Sequence, residues 1–134
     1  MSLDPVIAAI VEKSNESPAL SDGTPAESRS RLALGRAGIG SGPDMHSVSD
    51  QRVSCRGGAI RTRIFTPSDD VDGIILFLHG GGWVLGAIED FDTYARALAA
   101  YSNCTVVLPD YRLAPEHRFP AGLQDAKDVL HWIA

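Results

Sequence analysis

Cysteine, lysine and long apolar runs are all scarce in this 134-residue chain. The two cysteines, Cys55 and Cys104, form no CxxC or metal-ligand spacing and are a poor disulfide framework for a domain of this size. They are expected to be buried free thiols. No apolar run approaches the ~18 residues that a membrane-spanning helix needs. The opening Met1-Ser2-Leu3-Asp4 has neither a basic n-region nor an apolar h-region, so no secretion signal is visible and a cytoplasmic location is the default expectation. Positive charge is in the minority, 12 Lys and Arg against 17 Asp and Glu, for a net charge of −5. The arginines do not cluster, which argues against a nucleic-acid partner. His46, His117 and His131 are scattered, and no metal or cofactor is implied. What remains is 44% apolar and 22% charged, ordinary for a globular protein, and long enough for one core but not two.

Along the chain, Asp4-Pro5 reads as an N-cap and first helical residue, with Val6, Ile7, Ile10 and Val11 on one face. Thr24-Pro25-Ala26-Glu27 has capping-box spacing and predicts a second helix to about Leu34. Residues 35–43 are rich in glycine, neither follow a strand nor contain Gly-Lys-Ser/Thr, and read as a flexible linker. Residues 48–55 and 59–66 predict a hairpin through Arg56-Gly57-Gly58, an antiparallel edge pair with Arg61, Arg63 and Phe65 on a wet face. Residues 73–79 and 105–108 are apolar strands, with a helix between them that Asp90 caps and that runs to about Tyr101, its Phe91, Tyr94, Ala95 and Leu98 pointing inward. That is a βαβ unit in a parallel sheet. A last helix over 121–134 carries the stripe Leu123, Ala126, Leu130 and Ile133.

His79-Gly80-Gly81-Gly82-Trp83 stands directly after the apolar run that ends at Leu78. Three residues without side chains leave the backbone N–H groups of the turn free to point at a ligand oxygen, which is how an oxyanion hole is built. Glycine is needed there because a Cβ would block a donor from coming within ~2.7–3.1 Å of the oxyanion. About thirty residues on comes Asp110-Tyr111-Arg112-Leu113-Ala114-Pro115-Glu116-His117. The pairing of these two motifs within one βαβ unit resembles esterases of the hormone-sensitive-lipase type, a branch of the α/β-hydrolases.

The resemblance implies an α/β class: the N-terminal portion of an α/β-hydrolase fold, with an antiparallel edge hairpin and a parallel βαβ unit preceded by two cap-type helices. Residues 1–44 would be the cap helices and linker, and residues 45–134 the N-terminal part of the core. It also implies that Gly81 and Gly82 supply two oxyanion donors, that Gly80 makes the turn, and that His79 and Asp110 hold the loop through side-chain hydrogen bonds. Trp83 would line the acyl or alcohol pocket, and residues 111–121 would be scaffold. The substrate would be a small acyl ester, with no cofactor.

No Gly-x-Ser-x-Gly occurs, so the family's nucleophile, acid and base are not matched by any residue here. The expectation is a chain inactive alone, with an incomplete sheet that either a complementary C-terminal chain or self-association through an exposed strand would cover. A non-catalytic small-molecule-binding relative, as in plant gibberellin receptors, or a degenerate remnant of the family is the alternative. A nicotinamide site fits less well. Trp83 and Leu85 would crowd the pyrophosphate, and Glu89, Asp90 and Asp92 put negative charge at the helix N-terminus.

Overall fold

The computed structural model describes residues 3–16 and 18–134. Met1 and Ser2, part of the N-terminal stretch read for a signal, lie outside the described residues. Helix α1 (Pro5–Asn15) starts where the Asp4 carboxylate accepts the Val6 N–H at 2.9 Å. Helix α2 (Pro25–Leu34) starts with a complete capping box, in which Thr24 and Glu27 satisfy one another's backbone N–H groups. The apolar face of α1 stays largely open among the described residues: Val6, Ile7, Ile10 and Val11 are 44–67% exposed. The glycine-rich segment is more ordered than a flexible linker. It begins as a short 3-10 turn, Gly35–Gly38, and then lies along the next helix, where Thr93 donates its hydroxyl to the Gly40 carbonyl.

Strands β1 (Ser47–Cys55) and β2 (Gly58–Thr66) form the predicted hairpin, with Cys55 opposite Gly58. Gly57 lies against the Arg112 guanidinium, which would have to shift to admit a Cβ there. Strand β3 (Gly73–Leu76), helix α3 (Ile88–Ser102) and strand β4 (Cys104–Pro109) form the βαβ unit, with β3 parallel to β4. The sheet order is β1-β2-β4-β3, and β2 pairs antiparallel with β4. The hairpin therefore docks on β4, and β3 is an edge of the described sheet. Helix α4 (Ala121–Ile133) closes the chain.

Two cores flank the sheet. Phe65, Val106 and Leu108 pack with Ile88, Ala95 and Ala99 of α3, while Val53, Ile60 and Val107 pack with Val129 of α4. Fully burying one such aliphatic or aromatic side chain stabilises by about 1.5–3 kcal/mol.

Several expectations are corrected by this packing. The β2 face bearing Arg61, Arg63 and Phe65 is not wet, because α3 covers it. Phe65 is fully buried, and the two arginines pair with acidic residues of α3 and β1. Strand β3 ends at Leu76 rather than at 79, although Phe77 still donates its N–H to Val107. Helix α3 is capped three residues earlier than expected. Ala87 is the N-cap and Asp90 sits at N3, its carboxylate accepting the Ala87 N–H at 2.9 Å. Tyr94 faces solvent, and Ala99 takes the inward place. On α4 the buried residues are Gly122, Asp125, Ala126 and Val129, whereas Leu123 and Leu130 are exposed. Both cysteines are free but only half-buried, and burial pushes the Cys55 thiol pKa up.

Candidate active site

The glycine loop leaves the end of β3 and crosses the C-terminal end of the parallel pair, where ligands bind in open α/β sheets. Its geometry follows from which carbonyls are held. The nearly buried His79 ring places Nδ1 2.8 Å from the Gly80 carbonyl oxygen. A carbonyl only accepts, so Nδ1 carries the proton. Because the peptide is planar and trans, holding the Gly80 C=O toward His79 turns the Gly81 N–H the opposite way. The Gly81 carbonyl accepts the N–H groups of both Val84 and Leu85, at 3.1 and 2.9 Å. By the same planarity, the Gly82 N–H is turned away from that closed turn.

Neither the Gly81 nor the Gly82 N–H reaches a backbone acceptor among the described residues. Gly81 has φ +121°, and a Cβ on it would meet the Leu85 carbonyl at 2.2 Å. Only glycine closes this turn. In front of Gly81 and Gly82 lies an open depression of about 330 Å³ whose other wall is Leu20, Pro25 and Ser28, from the start of α2 and the segment before it.

Tyr111 anchors the loop's base. It is 4% exposed, donates its hydroxyl to the His79 carbonyl at 2.5 Å, and stacks on the His79 ring with centroids 4.3 Å apart. Phe91 stacks on His79 at 5.1 Å. Burial pushes the Tyr111 phenol pKa up to about 12. Trp83 is half-exposed, in the left-handed region at φ +62°. Its carbonyl accepts the Ala114 N–H at 2.8 Å, and its ring lines an apolar cavity of about 230 Å³ with Ala114, Phe119, Pro120 and Leu123.

The sequence-predicted site residues divide accordingly. His79, Gly80, Gly81, Gly82 and Trp83 are brought together on one loop. Asp110 is not part of it. Its carboxylate bonds Arg61 at 3.3 Å, and its N–H goes to the Arg61 carbonyl. The side chain that reaches the loop from this segment is its neighbour Tyr111, placed by the motif in scaffold. The acidic trio at the start of α3 divides its work. Asp90 caps Ala87, Glu89 takes a bidentate bond from Arg61, and Asp92 takes Arg63 and Arg96. Arg61 holds the Glu89 carboxyl below its usual pKa. His46, His117 and His131 are exposed, and His117 lines the cavity beside Trp83. Among the described residues no group of His, Cys, Asp and Glu is arranged to hold a metal, and no helix is long and apolar enough to cross a membrane.

Sequence reasoning missed Arg29 of α2, whose guanidinium reaches the Val84 carbonyl, the Ala114 carbonyl and the Glu116 carboxylate. A single arginine in a helix carries no local signal of such a role.

Comparison with known proteins gives the same frame. Residues 75–134 match the family model described as the alpha/beta hydrolase fold. A hyperthermophilic esterase from the archaeon Pyrobaculum calidifontis is 35% identical with a TM-score of 0.86, the match covering 99% of this chain and 44% of that one. The thermostable carboxylesterase EstE1, from a metagenomic library, is 34% identical with a TM-score of 0.75, covering 83% of this chain and 39% of its own. The chain thus spans about two fifths of the length of these esterases. With the sheet order, the glycine loop and the 110–117 segment all in place, the chain belongs to the α/β-hydrolase family and corresponds to the N-terminal part of its hormone-sensitive-lipase-type esterases.

Proposed function

We propose that this chain supplies the oxyanion hole of a carboxylic ester hydrolase. An ester carbonyl sits in the depression before Gly81 and Gly82, and a serine from outside residues 1–134 attacks it. As the carbonyl oxygen takes up negative charge, the two N–H groups donate to it, and a third donor follows the nucleophile. Residues 1–44 act as a cap over the acyl side, and Trp83 bounds the substrate. The acid and base of the triad also come from outside residues 1–134, so the chain by itself turns over no ester.

The reading is best supported by two glycine N–H groups that have no backbone acceptor among the described residues and belong to residues lining one open depression. Their direction is imposed by His79 on one side and by Val84 and Leu85 on the other. Such a donor is typically worth ~2.7–4 kcal/mol in the transition state. A Cβ on Gly82 meets nothing within 4 Å in the protein, and its φ of +61° disfavours any L side chain, so a substitution there both enters the ligand's space and strains the turn. Gly82→Val in the completed enzyme is expected to lower kcat at least ~10²-fold. A near-wild-type kcat with p-nitrophenyl esters would remove the loop from the mechanism.

A further inference from the structure

We propose that Arg29 is a positioning residue that couples the docking of α2 to the direction of the Gly81 and Gly82 amides; the inference rests on the oxyanion-hole reading above. The guanidinium offers five N–H groups in a rigid plane. Nε donates to the Val84 carbonyl at 2.8 Å, Nη2 to the Ala114 carbonyl at 2.8 Å, and Nη1 and Nη2 to the two oxygens of Glu116, each at 2.8 Å.

The two carbonyls it holds belong to the two residues that clamp the loop. The Val84 carbonyl shares its planar peptide with the Leu85 N–H, which donates to the Gly81 carbonyl at 2.9 Å beside the Val84 N–H at 3.1 Å, and these two bonds turn the Gly82 N–H outward. Ala114 donates its N–H to the Trp83 carbonyl, on a residue whose left-handed φ is unfavourable for a non-glycine and persists only when its surroundings fix it. One side chain therefore restrains both supports of the Gly81–Val84 turn. It does so from the helix whose first turn forms the opposite wall of the depression. A residue serving only to staple α2 to the surface would need the Glu116 carboxylate alone, and bonds to loop carbonyls would be superfluous.

Lysine carries its donors on one flexible nitrogen and lacks the rigid planar fork that reaches Val84, Ala114 and Glu116 together. Glu116→Gln removes the ion pair and leaves the guanidinium's carbonyl bonds in place. The two variants therefore separate positioning from stapling.

The test follows backbone amides in the 15N-labelled chain, with butyrate as a carboxylate standing in for the oxyanion. In the wild type, butyrate is expected to shift Gly81 and Gly82. In Arg29→Lys, the Gly82 amide should move, hydrogen exchange of the Val84 and Leu85 amides that hold the Gly81 carbonyl should quicken by roughly tenfold, and the response of Gly82 to butyrate should weaken. In Glu116→Gln, Gly82 should stay close to wild type. Equal Gly82 behaviour in wild type and Arg29→Lys overturns the proposal, as does a Glu116→Gln effect as large as that of Arg29→Lys. Absence of any butyrate shift in the wild type instead overturns the oxyanion reading, while the exchange comparison still decides the coupling. Arg29→Met removes all four bonds and should exceed Arg29→Lys; if it does not fold, Arg29→Lys carries the decision.

Discussion

Tyr111 places a neutral phenol where water hardly reaches, with its only proton directed at the His79 carbonyl. The folded protein holds that proton up to about 12, against 10.0 for the free group. Between those values the unfolded chain has lost the proton and the native one keeps it, so stability falls as pH rises. The contribution is intact below pH 10 and is lost by about pH 12, roughly 2–3 kcal/mol in all. Urea unfolding from pH 8 to 12 is expected to show this extra decline in the wild type and not in Tyr111→Phe. Parallel curves would mean that the phenol ionises as easily in the native state. At this scale the turn of the glycine loop was legible from sequence, because a run of residues without side chains directly after an apolar strand marks a bend that a Cβ would block, as at Gly81. Tyr111 was harder to see, since its role depends on an approach to His79 across the sheet, 32 residues away. Arg29 lies farther still in sequence from the carbonyls it holds.

Helix α4 turns on a buried ion pair rather than on its leucines. Asp125 is fully buried and accepts the Arg112 N–H at 3.0 Å and a bidentate guanidinium bond at 2.8 Å from both Nε and Nη2. Removing one partner leaves a buried charge uncompensated, which costs about 3–5 kcal/mol. Arg112→Ala is expected to lower unfolding free energy by that amount in urea titrations at pH 7. The double variant Arg112→Met with Asp125→Leu should lose much less. This pair also accounts for the missed phase of the helix. Hydropathy weighs Leu123 and Leu130 above Gly122 and Asp125, but Gly122 is buried because the Trp83 ring would stand 3.0 Å from any Cβ there. The same kind of tertiary compensation, α3 carboxylates laid over Arg61 and Arg63, buries a β2 face whose alternation reads as wet. Cap boundaries, by contrast, were plain in the Asp4-Pro5 and Thr24-Pro25-Ala26-Glu27 signatures, because capping is local chemistry.

At the scale of the molecule, β3 is a short edge strand that pairs on one side only among the described residues, and Ile74 on it is 55% exposed. The apolar face of α1 and the outward Leu123 and Leu130 of α4 are further uncovered surface. Open strand edges and apolar faces invite pairing with other chains. The 134-residue chain is therefore expected to self-associate in light scattering and on sizing columns, and Ile74→Lys should reduce that association. A monodisperse wild-type monomer would contradict this. The sheet's centre has a temporal side as well. β4 joins the hairpin through Thr62 opposite Pro109 and Phe65 opposite Val106, so the hairpin cannot be seated until the polypeptide has grown past position 109. At ribosomal elongation speeds of ~5–20 residues per second, the finished hairpin waits roughly 2–9 s with Ile60 and Phe65 bare. Any holding chaperone that meets the nascent chain has that interval in which to act, and the hairpin is what it would find.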